Sequence, residues 1–319
     1  IKTLLKALVL AAAASGAALA QSSYPSKPIR LAVAFPPGGP VDIIARLISP
    51  KLSETLGEPI VVENVTGAGG SIAAQRVAKS DPDGYTILAH SSGFAVNPSL
   101  WSNAGYDPDK DFLPIAVVAS QPNVIVVHAD FPAKTLQELL QMARTQKLAY
   151  ASPSSGTTPH LTAENLFRVR AKVDMTHVPF KGAGPAVTAL LSGQPPIGSA
   201  AAAGPMPHIK SGRLRALAVS SSKRLASLPD VPTLNELGFR GMEDYTWVGL
   251  FLPAGTPREI AQKLNDAVLK AVKAPDFQAR LETAGFEPTA EPLAPTADYV
   301  RAEVKKWAQV VRETGAKVD

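Results

Sequence analysis

The chain has 319 residues, of which 45% are hydrophobic and 18% charged, and a net charge of +5. That balance buries a real core and excludes a disordered chain. There is no cysteine, which excludes thiol catalysis, disulfides and cysteine-ligated metals. No run of five basic residues exists, so the Lys and Arg side chains read as solvated faces and not as a nucleic-acid surface.

Residues 1–20 read as a secretory signal peptide. Lys2 and Lys6 form its basic start, an alanine-rich apolar stretch follows, and Ala18-Leu19-Ala20 fits a cleavage site after Ala20. The apolar run is too short for a membrane anchor. Without Lys2 and Lys6 the chain keeps 30 basic and 27 acidic residues, a net +3.

Ile29–Phe35 is a short apolar run bounded by prolines and reads as a buried strand. Pro36-Pro37-Gly38-Gly39-Pro40 breaks it sharply. Ile43, Ile44, Leu47, Ile48, Leu52 and Leu56 recur at helical spacing, with Gly57 as the closing glycine. Pro50 lies inside this helix and is expected to kink or split it. Ile60–Glu63 is the next strand, Asn64–Gly70 a second glycine loop, and Ser71–Lys79 a helix. Two strand ends thus feed glycine loops that each open a helix. Glycine lets the backbone approach a ligand, and a helix start offers free N–H groups and positive potential. Together they make an anion site without Arg or Lys. The competing reading is that these glycines only turn the chain.

Tyr85–His90 is a third strand, ending in the hydroxyl-rich Ser91-Ser92-Gly93. Phe112–Ser120 and Asn123–His128 read as two further strands. Thr135–Thr145 is an amphipathic helix with Thr135 as N-cap and Glu138 completing a capping box. The opening theme then returns. Strand Leu148–Ala151 feeds the polar loop Ser152–His160 and a helix over Leu161–Arg170; strand Asp174–Val178 feeds Pro179–Pro185 and a helix over Ala186–Ser192. Two α/β domains with facing loops are expected. Leu214–Ser220 and Tyr245–Leu252 read as strands, Leu234–Leu237 as a short helix. Arg258–Lys273 is a helix with Thr256 as N-cap and Pro257 at its start, and Pro275–Ala284 and Asp298–Thr314 are the last two helices.

No catalytic set assembles. There is no G-x-S-x-G elbow and no P-loop, and Ser220-Ser221-Ser222-Lys223 lacks the partner motifs of S-x-x-K enzymes. Gly67-Ala68-Gly69-Gly70-Ser71-Ile72 is not a dinucleotide fingerprint, because its last position is Ile. The five histidines have no metal spacing. His160 reads either as a cleft residue or as a structural one. Asp42 reads better as a cap or loop brace than as a catalytic acid, since a carboxylate repels an anionic ligand. Neither a cofactor nor an enzymatic activity is expected.

Several short motifs, spread over the chain that follows the signal, carry a resemblance. They are Phe35–Pro40 with Asp42 and Ala45-Arg46, Val62-Glu63-Asn64 with Gly67–Gly70, Asp83–Thr86, Asn97-Pro98, Tyr150–Ser152 with Ser155–Thr157, Val178–Gly182 and Leu250–Pro257. In these the chain resembles the Bug, or TctC-like, family of periplasmic solute-binding receptors of tripartite tricarboxylate transporters. The resemblance implies a type II periplasmic-binding-protein fold, α/β, with a cleft between two domains and two hinge crossovers. The crossings are placed near residues 122–126 and 243–247. Residues 21–124 and 246–319 then form domain 1, and residues 125–245 form domain 2. It also implies a periplasmic monomer that closes on a small carboxylate and hands it to TctA/TctB-like membrane subunits. The alternative partner is a membrane sensor, and the least favoured reading is a secreted hydrolase.

The resemblance implies ligand contacts too. Phe35, Gly38, Gly39 and Pro40, with Asp42 behind them, and Ala68, Gly69, Gly70 and Ser71 would clasp one carboxylate. Ser91 and Ser92 would line the same side. The distal end would meet Ser152, Ser155, Gly156, Thr157, Thr158 and His160. It would also meet Phe180, Lys181, Gly182, Ala183 and Gly184, and Ser199 on the strand that follows. Two departures stand out. Val65-Thr66 replaces the usual basic residue and proline, and Pro195–Ala201 lacks the usual acidic and bulky residues. The second points to a roomier distal pocket for an anionic or neutral group, and away from an amino-acid ligand.

Overall fold

The computed structural model describes residues 24–316. The expected signal peptide lies outside the described residues. Ten strands are described: β1 (Ile29–Val33), β2 (Ile60–Asn64), β3 (Thr86–Ser91), β4 (Phe112–His128), β5 (Leu148–Ser152), β6 (Met175–Pro179), β7 (Ile197–Ala201), β8 (Leu214–Val219), β9 (Tyr245–Pro253) and β10 (Glu287–Pro288). The helices are α1 (Pro40–Leu56), α2 (Ser71–Ala78), α3 (Gly93–Leu100), α4 (Leu136–Ala143), α5 (Thr158–Glu164), α6 (Ala183–Leu191), α7 (Met206–Lys210), α8 (Arg258–Lys273), α9 (Pro275–Thr283) and α10 (Leu293–Thr314).

β4 organises the sheet. Its first part, Phe112–Pro122, pairs with β9, which continues through β3 and β1 to β2. Its second part pairs with β7 on one side and β8 on the other, and β7 leads to β5 and β6. The strand was expected as two. Pro122 looks like a breaker, but it sits where β4 changes partners, opposite Tyr245 at the start of β9. There a missing N–H costs no long ladder.

β1, β2 and β3 run parallel, as do β5, β6 and β7. Parallel strands need helical crossovers, and the sequence supplies one after each glycine loop. One face of the first sheet packs Ile29, Leu31 and Val33 against Ile44 and Ile48 of α1 and Leu264 and Val268 of α8. The other face packs Phe94 of α3 flat on Phe251, ring centroids 4.0 Å apart, next to Trp247 and Trp307. Both indoles donate to buried Glu303, Trp247 at 3.0 Å and Trp307 at 2.9 Å. The second sheet has its own clusters, around Tyr150, Leu166 and Phe167 on one face and Val124, Val126 and Leu190 on the other.

Four local expectations are corrected. α1 runs unbroken through Pro50, which is exposed, so the Arg46 carbonyl that loses its partner can bond to solvent. Thr256 does not cap α8; its hydroxyl donates to Pro253 O at 2.8 Å, and Pro257 holds the cap position. Leu234–Leu237 is a turn in which Thr233 and Glu236 bond each other's N–H groups. α3 follows Ser92 directly, where only a loop was expected.

The Thr135 cap is present. Its hydroxyl accepts from Glu138 N at 3.2 Å, and Glu138 accepts from Lys134 N at 2.7 Å. Thr135→Ala is expected to cost about 1 kcal/mol, read as a lower urea midpoint with unchanged slope. An unchanged midpoint would show that the cap is idle.

Candidate functional site

The loops after β1, β2 and β3 gather at one edge of the first sheet. Gly38 takes φ +81°, and its N–H donates to Asp42 Oδ2 at 2.9 Å. Asp42 also accepts from Arg46 Nε at 3.0 Å and Asn64 Nδ2 at 2.9 Å, and that same amide nitrogen donates to Phe35 O. Burial alone would raise the Asp42 carboxyl, but Arg46, the Gly38 N–H and Asn64 together hold it below its ordinary range. Asp42 thus ties the first loop to the end of β2, and the Gly38 N–H is already occupied. Gly39 stands at the N-cap of α1, and Pro40 at its first position.

The second loop carries four consecutive positive φ angles: Gly67 +128°, Ala68 +47°, Gly69 +61° and Gly70 +95°. Only Ala68 bears a side chain, and a left-handed alanine is costly. Asn97 of α3 braces the turn, donating to Gly69 O at 3.0 Å and to Ser71 Oγ at 3.1 Å. Among the described residues, the N–H groups of Ala68 and Gly69 have no acceptor. They are successive donors in a tight turn at a helix start, a concave cradle for an anion.

Beside this turn, His90 Nδ1 is 2.9 Å from Ser91 O, so it carries the proton and Nε2 is a bare acceptor. Nε2 faces Gly70 and is buried without a partner, as is Trp101 Nε1 near Gly69. Ser91 Oγ accepts from Gly93 N at 3.2 Å, and Ser92 stands at the N-cap position of α3 without a side-chain capping bond.

The loops after β5 and β6 form the opposing set. Phe180 N donates to Ser152 O and Gly182 N to Pro153 O, which stitches the two together. Thr157 donates to Ser154 O at 2.8 Å, so the polar loop is self-bonded. Gly156, at φ +79°, donates its N–H to His160 Nδ1 at 3.2 Å. His160 stacks on His177 at 4.0 Å, and His177 meets Ser152 Oγ at 2.7 Å. Burial first, then His177 and Arg168, push the His160 imidazole down to about 3, so it is a neutral structural ring. Ser155 and Ala183 are half-buried, while Lys181 and Gly184 are exposed. Ser199 Oγ is buried and has no partner.

The two loop sets touch. Gly156 sits so close to α3 that a Cβ there would lie 2.5 Å from Leu100 Cδ2. Ser92 Oγ is 3.0 Å from Thr158 Oγ1. The expected first-sheet residues therefore come together, as do the second-sheet ones, and α3 joins the two groups. Sequence reasoning did not give roles to Asn97, His90 or Trp101. The Asn97-Pro98 pair was visible, but its helix was not. Open grooves along α8 share no residue with these loops. Among the described residues, no cluster of His, Asp and Glu could hold a metal ion, and no helix is long and apolar enough to cross a membrane.

Residues 44–316 match the model of the tripartite tricarboxylate transporter family receptor, TctC. Three solved structures are similar along nearly their whole length. The periplasmic binding protein BugD is 34% identical with a TM-score of 0.84, covering 92% of this chain and 99% of its own. Rpa4515 of R. palustris, solved with adipate, is 33% identical with a TM-score of 0.86, covering 92% and 100%. MatC of Rhodopseudomonas palustris, solved with malate, is 35% identical with a TM-score of 0.82, covering 90% and 100%. The glycine turn, the braced first loop and the paired loop sets thus sit on a periplasmic-binding-protein fold, and the chain belongs to the tripartite tricarboxylate transporter receptor family, a family of solute-binding receptors and not of enzymes.

Proposed function

We propose that this chain is a periplasmic receptor that captures a small carboxylate between its two loop sets by hinge closure and delivers it to membrane transporter subunits. The observation that carries the reading is the unpaired pair of N–H groups at Ala68 and Gly69, in a turn free of basic side chains. Charge-assisted bonds to a carboxylate are about twice as strong as neutral ones. Closure removes water and strengthens them further. The orphan Trp101 Nε1 and Ser199 Oγ support the reading, since buried polar atoms ordinarily find partners. The adipate and malate carried by the two similar receptors support the ligand class. The family description supports delivery to a transporter. On this reading residues 21–124 with 246–319 and residues 125–245 are the two closing bodies, and the crossings lie where β4 changes partners and where β9 begins.

The distal group is anionic or neutral. Lys181 is the basic side chain within the opposing loops, and the two buried carboxylates behind them are already engaged. Glu164 binds Tyr150 Oη at 2.5 Å and Arg168 at 3.3 Å, while Asp244 binds Asn123 and Thr162. None is left to hold an ammonium. A thermal-shift panel of residues 21–319 tests this. A dicarboxylate at 100 times its Kd adds about 2.7 kcal/mol, on the order of 5 °C, while glutamate and aspartate add nothing. Flat curves for every carboxylate, with protein shown by mass spectrometry to carry no ligand, remove the assignment.

A further inference from the structure

A chain of buried hydroxyls crosses between the loop sets. Ser92 Oγ lies 3.0 Å from Thr158 Oγ1, which lies 2.7 Å from Thr246 Oγ1. Thr246 Oγ1 is 2.8 Å from Asn123 Oδ1, and Asn123 Nδ2 is 2.6 Å from Asp244 Oδ1. All five residues are buried. They come from the loop after β3, the first turn of α5, the start of β9, the middle of β4 and the residue before β9.

The proton positions follow from one end. Asp244 as a carboxylate only accepts, so the Asn123 amide nitrogen must face it. Asn123 Oδ1 then accepts, and Thr246 uses its single proton there. Thr158 must donate to Thr246, and Ser92 must donate to Thr158. No other assignment leaves every member paired, and an unpaired buried polar group is costly. Ser92, expected as a ligand contact, therefore has no proton to offer a ligand while the chain is intact. Its hydroxyl faces the opposing loops, not the carboxylate clasp. The close approach of Gly156 to Leu100 is a second contact between the same two groups of residues.

We propose that Thr158 is a positioning residue, latching the loop sets together without ligand through the one-way relay Ser92 to Thr158 to Thr246 to Asn123. The proposal rests on the hinge-closure reading. A receptor with this latch is closed for much of its time when empty. Ligand then adds to a closure that the protein already favours, and apparent affinity scales with the closed fraction.

The absence of cysteine allows specific spin labelling at Lys79→Cys, after α2, and Lys147→Cys, before β5, both exposed. Distances are measured by pulsed dipolar spectroscopy on ligand-free protein. The parent is expected to show a dominant short distance. Thr158→Val keeps the branched shape and removes the hydroxyl, and should lower the closed-to-open ratio by on the order of tenfold. Thr158→Ser restores the relay and should stay within about twofold of the parent. Ser92→Ala cuts only the outer link and should fall between them, which keeps the test alive where the valine variant folds poorly. Malate and adipate are then added. An open ligand-free parent, or a valine variant indistinguishable from the parent, overturns the latch. When a carboxylate still shortens the distance in that case, hinge closure stands by itself. When no condition moves the distance, both readings fall together.

Discussion

Gly70→Ala is expected to lower the melting temperature by roughly 10 °C and to abolish carboxylate binding. Two independent costs combine. Gly70 has φ +95°, where an L side chain costs about 1–2 kcal/mol. A Cβ there would also lie 2.2 Å from His90 Nε2 and 2.8 Å from its Cε1. His90 has nowhere to go. It is fully buried, its ring is wedged edge-on between Phe35 and Phe94, and Nδ1 is tied to Ser91 O. Overpacking of this kind costs about 1–3 kcal/mol. The sum, at a few degrees per kcal/mol, gives the expected shift. The glycine turn cannot move away without losing the Asn97 bond that shapes it, so binding is lost with stability. Gly238→Ala is the control. Gly238 has φ +92° but nothing within 4 Å of the added carbon, so it meets backbone strain alone and should shift by about 3 °C. Equal shifts for the two variants would show that His90 yields.

What could be read from the sequence was local. The strand, glycine loop and helix units show themselves because breakers and helical spacing are written in adjacent residues. β4 was not legible as one strand, because Pro122 breaks a ladder in general and only the fold reveals that the ladder changes partners there. α3 was missed for a related reason. It holds Pro98 and has polar neighbours, and it is buried on most sides, so no amphipathic period marks it. The relay could not be seen at all. Asn123 and Asp244 are 121 positions apart, and neither belongs to a motif. The same limit applied to Asp42. Its type predicted a brace, but Asp42 sits in α1 while its partner Asn64 ends β2, and the pairing appeared only in space.

Between pH 7.5 and pH 5 the protein is expected to lose roughly 3 kcal/mol of stability, although one of its buried acids works in the opposite direction. Burial holds the His90 imidazole down at about 4, against the backbone bond to Ser91 O that would raise it. Burial, with His177 and Arg168, holds His160 at about 3, and burial holds half-buried His177 at about 4. All three folded-state values are below the unfolded value near 6.5, so their stability is present above that pH and is lost as pH falls. At pH 5 that is roughly 2 kcal/mol for each of His90 and His160, with a smaller loss from His177. Asp244 has the other sign. Burial raises it to about 6, against Lys306 and its bonds to Thr162, Asn123 and Ser220. The native state then takes up its proton before the unfolded chain does, so acidification from pH 6 to pH 5 returns roughly 1 kcal/mol. Three groups outweigh one. Asp244→Asn separates them. The amide keeps an oxygen for Asn123, and its nitrogen donates to Thr162, whose own proton turns to Thr158 O at 2.7 Å. This variant should be about 3 kcal/mol more stable than the parent at pH 7.5, and its advantage should shrink towards pH 4. Urea midpoints at pH 7.5, 6 and 5 measure both effects. A midpoint independent of pH in the parent would mean that the histidines protonate within the fold, and an asparagine variant weaker than the parent at every pH would mean that the Asp244 charge is needed where it is.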